Sequence, residues 1–167
     1  MRNRLIRWAK VAGTISVLAV LLTACPKPEE FPAEPVIAFK AFTQHGDSAS
    51  FVITFTDGDG DIGLSDADSE APFDTGSTYY HNLFLEYDSL SNGVWTRVNF
   101  LLPLYYRLPR ITPTGQNKAL EGEIAVAVKP WPIIPGSEAD TFRIGATLVD
   151  RALHVSNAVT TGAVVVQ

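Results

Sequence analysis

The chain has 167 residues, of which 46% are hydrophobic and 19% charged, so it is too apolar for a disordered protein and fits one folded domain. Acidic side chains outnumber basic ones by 18 to 13, and four of the basic ones lie in the first ten residues. Without those four, 9 basic residues remain against 18 acidic ones, and the formal charge of −9 argues against a nucleic-acid partner. The single cysteine, Cys25, excludes a disulfide bond within the chain.

Residues 1–24 have the pattern of a secretory signal peptide, with a basic start followed by an apolar stretch at 11–22. A helix of that length spans about 18 Å, which is too short for the ~30 Å hydrocarbon core of a bilayer. The next residues, LTAC at 22–25, resemble the lipobox of bacterial lipoproteins. The resemblance implies cleavage before Cys25 and its acylation, with palmitate-like chains holding the protein on a membrane. A free cysteine that ends a signal peptide by coincidence is the alternative.

Residues 25–35 are predicted to form a tether behind the lipidated cysteine. Prolines at this density favour an extended spacer, and they alternate with acidic residues at Pro26, Pro28, Pro32 and Pro35. Residues 27–30, KPEE, also resemble the signal that sends lipoproteins of Bacteroidota to the cell exterior, although Pro28 interrupts it. We therefore expect a lipid-anchored protein of the outer membrane, on its periplasmic face or at the cell surface.

Residues 36–167 are predicted to form one all-β domain. Several short segments alternate apolar and polar side chains, which is the period of a half-buried strand. Examples are Phe51/Ile53/Phe55 and Phe142/Ile144/Ala146/Leu148, and a final run at 155–166 is rich in Val and Thr. Turn signals such as Ser91-Asn92-Gly93 separate these segments. About seven strands are expected, in an immunoglobulin-like antiparallel β-sandwich, with a small barrel as the alternative.

Acidic residues are concentrated directly after one predicted strand, in FTDGDGDIGLSDADSE at 55–70. No lysine or arginine occurs between Lys40 and Arg97, so nothing nearby in sequence neutralises this charge. Carboxylates at alternate positions, separated by glycines that allow a tight turn, can direct several oxygens to one point, as Ca²⁺ requires. We predict a calcium loop with the ligands Asp57, Asp59, Asp61, Asp66 and Asp68.

The match of this loop to an EF-hand is incomplete. Ile62 stands where an EF-hand has glycine, and Asp68 stands where a bidentate glutamate is usual. A solvated Asp-Gly turn without metal is therefore the alternative. Residues 149–157, VDRALHVSN, resemble the last hairpin of bacterial immunoglobulin-like modules, and this resemblance implies that Asp150, at the turn of that hairpin, is a further candidate ligand beside the loop.

A second candidate site lies in the proline-rich stretch at 101–123, which is predicted to be an extended crossover. Aromatic and arginine side chains together are typical of ligand-binding faces, and here they are Tyr105, Tyr106, Arg107 and Arg110. The alternative is a loop whose tyrosines cover an edge of the sandwich.

Catalytic motifs are weak. Residues 73–77, FDTGS, match the active-site motif of aspartic proteases, but that chemistry needs two such aspartates, each after an apolar strand, and no second copy occurs. His45, His81 and His154 lack zinc-binding spacing, and there is no GxSxG elbow. We assign no catalytic residue. A hydrolase that uses the acidic cluster, glycosidase or aspartic-protease-like, stays the alternative to a binding module.

Four segments resemble a family of uncharacterised Bacteroidota lipoproteins: FTDGDGDIGL at 55–64, YYHNLFLEYDSLSNGVW at 79–95, RLPRITPTGQNKALEGEI at 107–124 and VDRALHVSN at 149–157. The resemblance covers nearly the whole mature domain and implies a compact, β-rich lipoprotein with no established activity to transfer. Together these observations predict a non-catalytic, calcium-stabilised binding or structural module, held on the membrane by lipid and contacting a glycan, a peptide or an envelope protein.

Overall fold

The computed structural model describes residues 30–111, 113, 117–134 and 141–166. The predicted signal peptide at 1–24, the lipidation site Cys25 and the tether as far as residue 29 lie outside the described residues. In the described part, no helical segment has the length and apolar character needed to traverse a bilayer. The strands are β1 (Val36–His45), β2 (Ser48–Asp57), β3 (Leu83–Ser91), β4 (Val94–Val98), β5 (Tyr105–Tyr106), β6 (Leu120–Val128), β7 (Thr141–Leu148), β8 (Val159–Thr160) and β9 (Val164–Val165). A single 3-10 turn, Thr78–Tyr80, accompanies these described strands.

The strands form two antiparallel sheets. The first has the order β1-β2-β6, and the second has the order β4-β3-β7-β8, with β5 also pairing with β3 and β9 with β7. The all-β, two-sheet antiparallel fold predicted from the alternating pattern is confirmed, and the immunoglobulin-type topology stays a prediction. There are nine described strands instead of the expected seven because β5 is additional and the final run divides into β8 and β9, and these three strands have two residues each. Gly162, with φ of 73°, lies in the turn that divides the final run into β8 and β9.

The core consists of the alternate side chains that the two sheets direct inward. In β2 these are Ala49, Phe51, Ile53 and Phe55, and in β7 they are Phe142, Ile144, Ala146 and Leu148. The ring of Tyr87 on β3 stacks on Phe142 with centroids 5.3 Å apart. Burial of each large apolar side chain contributes about 1.5–3 kcal/mol, so the alternation fixes which face of each strand is internal.

The side chain of Asn157 joins the two sheets at the β1 edge. Its Oδ1 accepts a hydrogen bond from the Ile37 N–H at 2.9 Å, and its Nδ2 donates to the Ile37 carbonyl at 2.8 Å. The preceding residue, Ser156, accepts a hydrogen bond on Oγ from the N–H of Leu148 at the end of β7. The amide therefore acts as a one-residue strand partner for β1.

The end of the predicted tether packs against the domain. The Gly58 N–H donates to the Pro32 carbonyl at 2.8 Å, and a Cβ on Gly58 would lie only 2.2 Å from the Phe31 carbonyl oxygen. Pro35 is fully buried. Residues 31–35 thus belong to the packed structure, and the chain enters the domain beside the loop that follows β2.

Candidate metal centre

The inward-facing rows of β2 and β7 each lead to an aspartate. In β2 the buried row continues through Phe55 to Asp57, and in β7 the same period continues through Leu148 to Asp150, two residues beyond. The two aspartates are 0% and 2% exposed. The two-residue period of the strands therefore places carboxylates where the apolar core would otherwise continue.

The loop after β2 turns back onto the first of these carboxylates. The backbone N–H groups of Gly60 and Asp61 donate to Asp57 Oδ2 at 2.8 and 3.0 Å. Gly60 has φ of 71°, and a Cβ there would lie 2.2 Å from the Lys118 carbonyl oxygen, so glycine is required. This tight turn brings Asp59 and Asp61 beside Asp57.

Four carboxylates meet at this end of the sandwich, and we call them the four-carboxylate cluster. Its members are Asp57, Asp59, Asp61 and Asp150, and one oxygen of each lies within 4.8 Å of the others. Two oxygens that bind one Ca²⁺ at 2.3–2.6 Å are at most about 5 Å apart, so this spacing is compatible with a shared ion. The cluster could hold a metal ion.

Two oxygens of the cluster are buried without a hydrogen-bond partner, Asp57 Oδ1 and Asp61 Oδ1. The second oxygen of each of these carboxylates accepts hydrogen bonds from the backbone. Asp57 Oδ2 accepts from the N–H groups of Gly60 and Asp61, and Asp61 Oδ2 accepts from the Ala152 N–H at 3.0 Å. An unsatisfied buried polar atom costs about 1–3 kcal/mol, and more when it is charged. The fold therefore orients Asp57 and Asp61 through one oxygen of each carboxylate and leaves the other oxygen without a protein donor.

The electrostatics of the cluster are unbalanced. Within the described ranges, no lysine or arginine nitrogen forms an ion pair with its four members. Burial and the neighbouring carboxylates Asp150, Asp59 and Asp57 raise the pKa of Asp61 to about 6, against a smaller opposing effect of Arg151. Burial is also the main cause of the raised pKa of Asp57. The cluster thus favours binding either protons or a cation.

The turn at 150–154 orients the fourth carboxylate. Asp150 Oδ1 accepts from the His154 N–H at 2.8 Å, and Asp150 Oδ2 lies 2.8 Å from His154 Nδ1. The hydrogen bond and charge of Asp150 raise the pKa of the His154 imidazole. His154 therefore orients the Asp150 carboxylate through both its backbone N–H and its imidazole ring.

Asp66 and Asp68, predicted as ligands, lie outside the four-carboxylate cluster. Asp68 Oδ2 instead accepts from the N–H and Oγ of Ser65 at 2.7 and 2.8 Å, and these hydrogen bonds lower the pKa of Asp68. Asp66 is exposed. The structure does not bring this half of the loop to the cluster, and a local turn around Ser65 takes up the carboxylate of Asp68. The structure brings in Asp150, the further candidate, in their place.

Arg107, predicted as part of a ligand face, is used within the fold. Its guanidinium donates to the backbone carbonyls of Tyr80, Ser65 and Asp68 at 2.7, 3.0 and 2.7 Å. It also lies 4.7 Å from the centre of the Tyr80 ring. Arg107 therefore stabilises the long loop between β2 and β3.

The other three residues of that predicted face divide between interior and surface. Tyr106 Oη donates to the Ala127 carbonyl at 3.0 Å, so this tyrosine bridges the edges of the two sheets, as the alternative prediction had it. Tyr105 is 39% exposed and packs edge-on against Phe84 and His81. Arg110 is exposed. The structure does not gather the four side chains into one site.

The FDTGS segment has no catalytic arrangement among the described residues. Asp74 Oδ1 accepts from the Gly76 N–H at 2.9 Å, and Ser77 Oγ accepts from the Tyr79 N–H at the start of the 3-10 turn. These are local turn contacts in an irregular loop.

Comparisons with family models, with curated proteins and with solved structures give no match for this chain. One signal in the sequence identifies Asp150 independently: it continues the period-two row of β7, as Asp57 continues that of β2.

Proposed function

We propose that this protein is a non-catalytic module of the cell envelope that binds Ca²⁺ through Asp57, Asp59, Asp61 and Asp150. In this proposal a lipid on Cys25 holds it on the outer membrane, and its partner is a glycan, a peptide or an envelope protein. One observation carries the metal assignment: four carboxylates converge within 4.8 Å, and two of their buried oxygens have no partner.

The chemistry of the donors favours calcium. Carboxylate oxygens are hard ligands that suit Ca²⁺, Mg²⁺ and Mn²⁺ better than Zn²⁺ or Cu²⁺. Ca²⁺ accepts six to eight oxygens in flexible geometry, which suits carboxylates contributed by a loop and by a separate turn. Asp59 is exposed, so water completes the coordination on its side.

The same convergence favours binding over hydrolysis. Glycoside hydrolysis places two carboxyl groups about 5–9.5 Å apart across a sugar-sized cleft. Here four oxygens face one another at shorter range, and the backbone holds Asp57 and Asp61 in place. Such an arrangement suits one ion shared by the carboxylates better than two carboxyl groups on opposite sides of a sugar.

Thermal unfolding of the full chain, purified from membranes in detergent, tests the proposal. At ten times its Kd, calcium adds about 1.4 kcal/mol to the free energy of unfolding. We expect Tm to rise by about 3–5 °C in calcium relative to EDTA. Asp59→Asn removes the negative charge of the exposed ligand and should abolish the rise, whereas Asp66→Asn removes the charge of an exposed residue of the same loop outside the cluster and should preserve it.

Terbium luminescence gives a second readout that does not depend on stability. Tb³⁺ replaces Ca²⁺ at oxygen sites, and we expect emission that calcium displaces in the wild type and in Asp66→Asn but not in Asp59→Asn. Equal melting curves in calcium and EDTA, together with absence of displaceable Tb³⁺ emission, would refute the metal assignment.

A further inference from the structure

Exposed apolar residues lie on segments that pair with the chain next to the four-carboxylate cluster. Val36, Ile111 and Val155 are 45%, 39% and 56% exposed. Each is connected to a residue adjacent to a cluster member: Val36 pairs with Thr56, the Ile111 N–H donates to the Ile62 carbonyl at 3.0 Å, and Val155 bridges with Val149. Three separate segments of the chain therefore present apolar groups at the same end as the acidic cluster.

The chain also enters the domain at this end. The Gly58 N–H donates to the Pro32 carbonyl, which fixes the entering segment beside Asp57 and Asp59. Cys25 precedes Glu30 by five residues, and five residues span at most about 18 Å. A lipid on Cys25 would therefore keep this end of the domain, rather than the opposite end, close to the bilayer.

Basic side chains lie among the apolar ones. Arg110 and Lys118 are exposed, and Arg151 is partly exposed. The Arg110 N–H donates to the Leu64 carbonyl and the Arg151 N–H to the Asp61 carbonyl, so both arginines flank the acidic loop. Apolar groups bordered by arginine and lysine match the interface of a bilayer, where acyl chains meet phosphate groups.

We infer that the end of the domain that carries the four-carboxylate cluster docks onto the lipid surface when calcium is bound. The inference rests on the proposed function, both for the ion and for the lipid on Cys25. Without the ion, four carboxylates repel anionic headgroups. Bound Ca²⁺ reduces the negative charge of the cluster by two units. On the exposed side next to Asp59, the ion binds a phosphate oxygen of a headgroup in place of water.

The competing orientation uses the most exposed apolar residues of the described chain, Leu101 and Leu102, at 98% and 81%. They lie on the side of the sandwich, along β3. This follows because β4, before them in the chain, pairs with β3 as far as Tyr87, and β5, after them, pairs with β3 at Phe84. The opposite end is marked by Val94, which is 63% exposed and pairs with Ser91 at the far end of β3. From Leu83 to Ser91, β3 spans roughly 26 Å at about 3.3 Å per residue.

Depth-dependent quenching distinguishes these orientations. The full chain is reconstituted in vesicles of phosphatidylethanolamine and phosphatidylglycerol that contain a nitroxide-labelled lipid. Three variants carry a fluorophore on an introduced cysteine: Val155→Cys at the cluster, Leu102→Cys on the side and Val94→Cys at the opposite end. All three positions are exposed, so the substitutions leave the core intact, and the wild type labelled in parallel gives the contribution of Cys25.

The expected result is severalfold stronger quenching at position 155 in calcium than in EDTA, with little quenching at 94 or 102 in either buffer. Asp59→Asn combined with Val155→Cys should lose the calcium effect. Equal quenching at 155 and 94, stronger quenching at 102, or quenching at 155 that ignores calcium would each overturn the inference. Because calcium binding is measured separately by melting and Tb³⁺ displacement, a failure of docking is distinct from a failure of the metal site.

Discussion

Buried acidic residues occur in two regions of this domain, and they are neutralised differently. Asp88 is 8% exposed on β3, and the strand register places an arginine directly opposite it on each side, Arg97 on β4 and Arg143 on β7. The arginine Nε atoms lie 2.5 and 2.9 Å from its two carboxylate oxygens. The four-carboxylate cluster has no such arginine among the described residues.

The pKa shifts of the two regions reflect this difference. Burial alone would raise the pKa of Asp88, but hydrogen bonds from Arg97 and Arg143 outweigh it and lower that pKa. Burial raises the pKa of Asp61 to about 6, with neighbouring carboxylates adding to the effect. Asp88 thus has two arginines of the chain beside it, whereas the unpartnered oxygens of Asp57 and Asp61 have no cationic partner from the described residues.

The largest expected effect comes from breaking the neutralised region. Asp88→Leu leaves two arginines without their shared partner, and loss of one member of a buried ion pair costs 3–5 kcal/mol. Because the arginine side chains are 43% and 36% exposed, we expect a smaller loss in the free energy of unfolding, about 2 kcal/mol. This corresponds to a fall in Tm of roughly 4–8 °C. Thermal melting should show the same fall in calcium and in EDTA.

The control for this change is Asp47→Asn. Asp47 pairs with Lys129, but both side chains are mostly exposed, so its loss should leave Tm within about 1 °C. A fall for Asp88→Leu that appears in only one of the two buffers would mean that the two regions are coupled.

The next largest effect is that of Asp57→Asn on the free energy of unfolding, and its sign differs between EDTA and calcium. Asp57→Asn replaces the unpartnered Oδ1 by an amide that can donate to the remaining carboxylates, while its other oxygen keeps accepting from Gly60 and Asp61. In EDTA we expect the free energy of unfolding to rise by about 1 kcal/mol, and in calcium to fall below that of the wild type. Urea denaturation in the two buffers measures both changes. A loss of similar size in both buffers would contradict the metal assignment.

The smallest effect is a pair of opposite pH dependences in EDTA. The lowered pKa of Asp88 means that its carboxylate stabilises the fold above the ordinary aspartate pKa, near 3.9, and that this contribution is lost as pH falls below about 4. The raised pKa of Asp61 means that the folded state binds more protons than the unfolded state between about 4 and 6. Its contribution therefore decreases as pH rises through that range.

Urea denaturation between pH 3 and pH 7 separates the two dependences. The quantity compared is the free energy of unfolding of the wild type minus that of the variant. As pH rises, this difference should increase for Asp88→Asn and decrease for Asp61→Asn. Two differences that change in the same direction with pH would show that the two regions are not distinct.

Local patterns were enough to predict most of the strands and three of the four members of the cluster. The alternation in β2 and β7 identified their inner faces, and the Asp-Gly repeat after β2 placed Asp57, Asp59 and Asp61 in one turn. These features depend on the period of a strand and on glycine at a left-handed position, both of which are visible in a few consecutive residues.

Long-range pairing was not predictable from the same patterns. The arginine opposite Asp88 on β7 lies 55 residues away, and only the register of two paired strands brings them together. Asp68 was predicted as a metal ligand from its spacing in the acidic loop. In the structure its carboxylate instead accepts a hydrogen bond from Ser65, three residues earlier. Arg107 was assigned to the surface, yet it contacts carbonyls about 40 residues earlier in the chain.

The amide of Asn157 has a consequence for how copies of the protein behave when they are crowded. A sheet edge with open N–H and C=O groups is a template to which a second chain can add, and β1 is an outer strand of its sheet. Asn157 occupies both backbone groups of Ile37. One asparagine thus takes up the hydrogen-bonding groups at the start of this edge, where a second chain could otherwise add a strand.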